Sequence, residues 1–193
     1  MENKNRFVFV LAIIISLVVA ACASTPQGPP PEALVFDNAE ISVLQARGSS
    51  SGIEDGAFFF SGAKTTLESG TYEILLSRPR ALDARQYEFL VFEISADNVD
   101  LLDDFIGFFP RLRTGENYTQ FNGSSALLNA VSTISEPGEW ATVSVSIAAS
   151  NAHERGEDFR MVMPRVDSLL LRFICNDMEP VEGKIFLRNF KFN

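Results

Sequence analysis

Residues 32–193 are predicted to fold as an all-β domain, a sandwich or barrel, and three observations carry that prediction. No stretch of this region keeps apolar residues at helical spacing through three turns. Short runs rich in Phe, Ile, Val, Leu and Thr recur instead, and residues 141–147 alternate apolar and polar side chains. Turn chemistry divides the runs: Gly48-Ser-Ser-Ser-Gly52, Glu54-Asp55-Gly56, Thr114-Gly115-Glu116-Asn117, Glu136-Pro137-Gly138 and Glu179-Pro180.

The first thirty residues are of another kind. Lys4 and Arg6 precede a nearly continuous apolar run from Phe7 to Val19, then Ala20 and Ala21 lead to Cys22, the layout of a secretory signal. The run is shorter than the roughly 20 residues of a membrane-spanning helix. Val19-Ala20-Ala21-Cys22 resembles the lipobox of bacterial lipoproteins. The resemblance implies that residues 1–21 are a signal peptide and that Cys22 becomes an acylated N-terminus. More than one acyl chain makes such anchoring stable. Ala23 stands where an inner-membrane retention signal usually has Asp, which favours the outer membrane in a diderm cell. Residues 22–31, including STPQGPPP, then form a lipidated, Pro-rich tether ahead of the domain at 32–193. The competing reading is an ordinary secreted chain with an incidental cysteine.

Along the domain, strands are expected at 34–36, 41–45, 57–61, 71–77, 87–96, 105–113, 118–121, 126–133, 141–148, 168–175 and 184–192. Residues 87–96 are apolar on both faces, as in the middle of a sheet whose outer face is covered or concave. In 141–148, Val143, Val145 and Ile147 point inward and Thr142, Ser144 and Ser146 outward. In 168–175, Leu169, Leu171, Phe173 and Cys175 form one row and Leu170, Arg172 and Ile174 the other. Residues 150–158 are polar and read as a long loop. Residues 48–52 lack the lysine and helix context of a phosphate loop and read as a flexible turn.

The chain carries a formal charge of −9, which argues against nucleic acid or anionic lipid as the main partner. With Cys22 acylated, Cys175 has no cysteine to pair with, so stability must come from packing, and Cys175 reads as a small buried hydrophobe.

Gly138-Glu-Trp140 before ATVSVSI, then SLLLRF, then GKIFLRNFKF resemble the ending of galactose-binding-domain-like jelly rolls. These include several carbohydrate-binding modules and the complex I intermediate-associated-protein domains. Leu34-Val-Phe-Asp37 and YEFLVFEISA fit the opening and central strands more loosely. The resemblance implies a jelly-roll β-sandwich that binds sugar without catalysis. Many such modules also hold a structural calcium, but Arg188 stands before Asn189 where the motif often has Asp. Asp37, Glu54 and Asp55 remain as oxygen donors, and no metal or cofactor is assigned.

The turn at 114–117 pairs Arg113 with Tyr118 and Arg111 with Gln120. One face of this hairpin is then Phe109, Arg111, Arg113, Tyr118, Gln120 and Asn122; the other, Phe108, Pro110, Leu112, Thr119 and Phe121, is core. Pro110 marks an edge or bulged strand, because it has no N–H for a ladder. Aromatic surface stacks on the C–H-rich faces of sugar rings, and arginine and amide donors fix hydroxyls or carboxylates. Arg111, Arg113, Tyr118 and Gln120, with Arg172 from 168–175, are therefore the candidate ligand residues; two arginines suit an acidic glycan. Trp140 reads as packing at a sheet rim, and His153, without a second His or an acidic cluster, builds neither a zinc site nor a triad. Asp103, Asp104 and Glu93 do not make the carboxylate pair of a glycosidase: adjacent Asp residues on extended chain point to opposite faces.

The sequence thus predicts a lipid-anchored envelope protein that binds carbohydrate non-catalytically. Its rival is a structural or protein-interaction lipoprotein, acting in assembly or adhesion, that uses the same fold without sugar. Metabolic labelling with a radioactive fatty acid tests the anchor: wild type is expected to carry label and Cys22→Ala none, and label on the variant would refute acylation at Cys22.

Overall fold

A computed structural model describes residues 32–33, 41–45, 49–62, 71–153, 159–176 and 182–193. The expected signal peptide, Cys22, the tether to residue 31, the strand at 34–36, Asp37 and the turn at 179–180 lie outside the described residues.

Thirteen strands are described: β1 Glu32–Ala33, β2 Ile41–Gln45, β3 Ser49–Glu54, β4 Ala57–Gly62, β5 Thr71–Leu82, β6 Phe89–Ala96, β7 Phe105–Phe108, β8 Arg111–Thr114, β9 Asn117–Phe121, β10 Ala141–Ser146, β11 Ala152–His153, β12 Val166–Cys175 and β13 Lys184–Phe192. They form two antiparallel sheets. The first runs β10-β6-β13-β4-β3, with β1 added on β13; the second runs β11-β9-β8-β12-β5-β2, with β7 also on β12.

The inward rows of the two sheets meet as one aromatic core. Phe92 of the first sheet packs edge-on against Phe108 of the second at 5.5 Å and stacks on Phe190 at 4.8 Å. Phe173 lies at the centre, 4.7 Å from Phe108, 5.4 Å from Phe105 and 5.9 Å from Phe60. All of these rings are essentially excluded from water. The parity expected for β10 and β12 holds: Val143, Val145, Ile147, Leu169, Leu171, Phe173 and Cys175 are buried.

Two hairpins set the register locally. Between β3 and β4, Asp55 and Gly56 both have positive φ, 50° and 76°, as a two-residue primed turn requires. Residues 49–54, whose first part reads from sequence as a flexible turn, are therefore a full strand paired along β4. Serine and glycine give it little β signature of its own; the Asp-Gly turn folds it back onto a hydrophobic strand.

The run at 126–133 is likewise not a strand. Residues Ser124–Val131 form a helix, α1, that buries Leu127, Ala130 and Val131, spaced i, i+3, i+4, on one face against β7 and β10. Its start is held where β7 ends: the Phe108 N–H donates to Ser124 Oγ at 3.0 Å, and the Gly123 N–H donates to the Phe108 carbonyl at 2.9 Å. A Cβ on Gly123 would lie 2.6 Å from the Phe108 ring, so the close approach needs glycine. A second short helix, α2 at Phe159–Val162, brings Phe159 against Phe121 at 6.3 Å. The loop expected at 150–158 begins with a 3-10 turn, Ala149–Asn151, followed by β11.

The strand expected over 105–113 divides into β7 and β8 at Phe109-Pro110, yet the register continues across the break: Phe108 faces Phe173 and Arg111 faces Leu170. The Phe109 N–H donates to the Arg172 carbonyl at 2.8 Å, and the Pro110 carbonyl accepts from Phe121 N–H at 2.9 Å. β8 is not an edge, since β9 and β12 flank it.

Because Phe173 fills the space between the sheets, Phe173→Ala is expected to cost about 3–5 kcal/mol in urea unfolding, and Phe173→Leu clearly less. A loss under ~1 kcal/mol for the alanine variant would show that this ring is not central to the core.

Candidate functional site

The outward face of the second sheet brings together the five ligand residues expected from sequence, Arg111, Arg113, Tyr118, Gln120 and Arg172. The β8–β9 ladder pairs Arg111 with Gln120, Leu112 with Thr119 and Arg113 with Tyr118, the register that the turn predicts. Gly115 opens the two-residue turn at φ 58°, and its N–H donates to Asp167 Oδ2 at 2.8 Å, so the hairpin tip is tied to the start of β12. Thr114 Oγ1 donates to the Arg165 carbonyl at 2.7 Å from the same side.

Opposed residues share a face, so the ladders to β12 and β5 extend the rows across the sheet. Tyr118, Arg113, Ser168 and Ser77 form one row. His153, Gln120, Arg111, Leu170 and Leu75 form the next. Arg172 and Glu73 follow, with Phe109 beside Arg172. Sequence parity identifies the row to which Arg172 belongs; the structure adds its neighbours.

Arg111 is the most constrained cation of this face. Its Nε donates to Gln120 Oε1 at 2.7 Å, and its guanidinium carbon lies 4.6 Å from the centre of the Tyr118 ring. Gln120 is only 6% exposed, so it supports Arg111 from below more than it presents its amide outward. The hydrogen bond uses Nε and the ring contact uses the guanidinium's flat face, so the two Nη groups are not engaged by either. Arg113 Nη2 donates to the Gly115 carbonyl at 3.2 Å. Arg172 Nε lies 3.4 Å from Glu73 Oε1, a charge contact without hydrogen-bond geometry.

The floor between these cations is apolar. Leu170 is buried, Leu75 half-buried, and the Phe109 ring lies over Gly107, 3.0 Å from where a Cβ would stand. Phe109 and Tyr118 therefore offer aromatic surface on either side of Arg111. Glu73 and Leu75 are residues that sequence reasoning did not place here, whereas Leu170 was already in the row of Arg172. The signal for Glu73 was an acidic residue in one β run and an arginine in another, but nothing local pairs those runs.

The outward face of the first sheet is arranged differently. Arg188 stacks on Trp140 at 3.7 Å and its Nε donates to Glu93 Oε2 at 2.7 Å, joined there by Asn189 Nδ2 at 3.0 Å. Trp140 thus packs at the rim, just ahead of β10, under an arginine. Lys184 pairs with Glu54 at 2.5 Å and lies 4.7 Å from the Phe59 ring centre. Glu54, a possible calcium donor from sequence, is in this ion pair. Asp104 is buried and Asp103 exposed. Among the described residues no three His, Cys, Asp or Glu side chains are grouped to hold a metal ion.

Comparison of the sequence with protein-family profiles and with curated proteins gives no match. The fold does match solved structures. A non-crystalline-cellulose-specific carbohydrate-binding module, CBM28, superposes with a TM-score of 0.53 at 9% identity, over 83% of this chain and 92% of that one. CtCBM11, solved in solution, gives 0.50 at 17% identity over 88% and 96%. An agarase, AgWH50C, gives 0.50 at 12% identity over 86% of this chain but only 24% of the enzyme. The domain therefore has the jelly-roll β-sandwich fold of carbohydrate-binding modules.

The Arg111–Gln120 contact is testable without a ligand. Arg111→Ala and Gln120→Leu, alone and combined, are expected to show a coupling of about 0.5–1.5 kcal/mol in unfolding free energy. Strict additivity would mean that Gln120 does not hold Arg111.

Proposed function

We propose that this protein is a lipid-anchored component of the cell envelope, attached through Cys22, whose jelly-roll domain binds carbohydrate on the outward face of its second sheet and catalyses no reaction. The observation that carries this reading is the convergence of Arg111, Arg113 and Arg172 with Tyr118 and Phe109 above an apolar floor. Aromatic rings offer stacking surfaces to the C–H faces of a pyranose, and the guanidinium edges offer fixed donors to its oxygens. The face is extended across several strands, which suits a polymer lying along it rather than a small molecule enclosed in a cavity. The fold shared with carbohydrate-binding modules supports the same reading. Acylation at Cys22 would hold the domain at a membrane, in a diderm cell the outer one.

Affinity electrophoresis of the full chain in detergent, against a panel of neutral and acidic polysaccharides, tests it. At least one polymer is expected to retard wild type, and Arg111→Ala/Tyr118→Ala is expected to weaken that retardation about tenfold or more, as loss of a charged hydrogen bond worth ~1.5–3 kcal/mol implies. Unaltered retardation in a folded double variant would move the site elsewhere. Retardation by no polymer would favour the rival reading, a lipoprotein that uses the fold for assembly or adhesion to a protein.

A further inference from the structure

We propose that the glycan taken by this face is anionic, with a carboxylate or sulfate ester seated between Arg111 and Arg113; the inference rests on the carbohydrate-binding reading above and narrows its ligand. The two outward faces of the sandwich give the contrast that carries it. On the first sheet Lys184 pairs with Glu54 at 2.5 Å and the arginine, Arg188, pairs with Glu93 at 2.7 Å, while the exposed Lys191 has no ion pair among the described residues. On the second, Arg172 has Glu73, but among the described residues neither Arg111 nor Arg113 has a carboxylate within ion-pair distance. Their contacts are all neutral: an amide oxygen, a phenol ring and a peptide carbonyl.

Among the described residues Arg80, Arg165 and Lys191 also have no ion pair; what sets Arg111 and Arg113 apart is that both lie on one face of one strand, beside aromatic rings. The two arginines stand two residues apart on one strand, roughly 7 Å between Cα atoms, on the same face, and so repel each other. An anion between them removes that repulsion. Arg111 also keeps the donors for it: with Nε given to Gln120 and the guanidinium held near Tyr118, its two Nη groups remain for the paired oxygens of a carboxylate or sulfate.

The charge pattern sets a direction as well. Glu73 beside Arg172 would repel a second anion, and an Arg–Glu pair serves hydroxyls, which both donate and accept. The acidic unit of the polymer is therefore at the β8–β9 end and an uncharged unit at the β12–β5 end.

Four probes test this with the full chain in detergent: polygalacturonate and its methyl ester, and a sulfated galactan and the same galactan after desulfation. One charged polymer is expected to bind at least tenfold tighter than its neutral partner, and the pair that responds tells carboxylate from sulfate. Added salt is expected to weaken that binding. Arg111→Gln/Arg113→Gln is expected to abolish the preference, and Arg113→Gln alone, which leaves the Arg111–Gln120–Tyr118 packing in place, to reduce it at least threefold. Arg188→Gln, the same charge loss on the first sheet, is expected to leave it. Equal binding of charged and neutral polymers would overturn the anionic ligand while leaving carbohydrate binding intact, whereas binding of none of the four would overturn both. A preference retained in the double variant, with wild-type thermal unfolding, would overturn the seat between these arginines.

Discussion

Leu112 decides what the second sheet can present. It is wholly buried, with Thr119 across one ladder and Leu169 across the other. Because a strand alternates its side chains, burying Leu112 forces Arg111 and Arg113 outward together. A slip by one residue would place two guanidiniums among Phe108, Phe121 and Val162, at an effective cost of several kcal/mol for each uncompensated ion. The hydrophobic energy that closes the sandwich therefore also fixes the cations of the face. No separate interaction is needed to aim them.

What the ladder does not fix is the rotamer, and here the polar support under Arg111 matters. An arginine side chain loses about 2 kcal/mol of conformational freedom when it is immobilised. Gln120 and Tyr118 remove part of that freedom in the unliganded protein, so less is lost when a partner arrives. Gln120 can do this because it is buried beside Thr119 and Phe121, on a strand whose turn is anchored to Asp167. Arg113 has a weaker tie, through the carbonyl of the turn itself. The two arginines thus differ in rigidity although they share a strand and a face.

How much of this was legible in the sequence follows from how far apart the partners are. The β8–β9 pairing is local and its turn residues specify it, so the two faces of that hairpin follow from the chain alone. Parity within β12 is equally local, and it placed Arg172 in the outward row. Parity cannot say which strands lie beside β12, so Glu73 and the pairing of Leu75 with Leu170 were not foreseeable. Nor was the ion pair of Glu93 with Arg188, 95 residues apart in sequence. The stretch 126–133 reads as a strand because a short run with three buried positions satisfies a strand as well as the two helical turns that Ser124–Val131 form. Residues 49–54 were missed for the opposite reason: Ser and Gly carry no strand signal, and the strand exists because the Asp55-Gly56 turn returns the chain to β4. Gln120 was assigned by its chemistry; its burial, which makes it a support, depends on packing that the sequence does not display.

The shortest pairing in the protein has a mechanical meaning. Glu32 and Ala33 lie against Phe192 and Lys191, so the N-terminal end of the described chain joins β13, in the sheet opposite the arginine face. β6 occupies the other edge of β13 at that point, and β4 ends earlier, at Leu187. A pull delivered through the N-terminal residues is therefore borne first by a two-residue contact with the closing strand. That contact can peel away while the core rings around Phe173 and the outward face of β8, β9 and β12 stay assembled. Under such a pull the first part to yield would be this two-residue contact, which shares no residue with the arginine face.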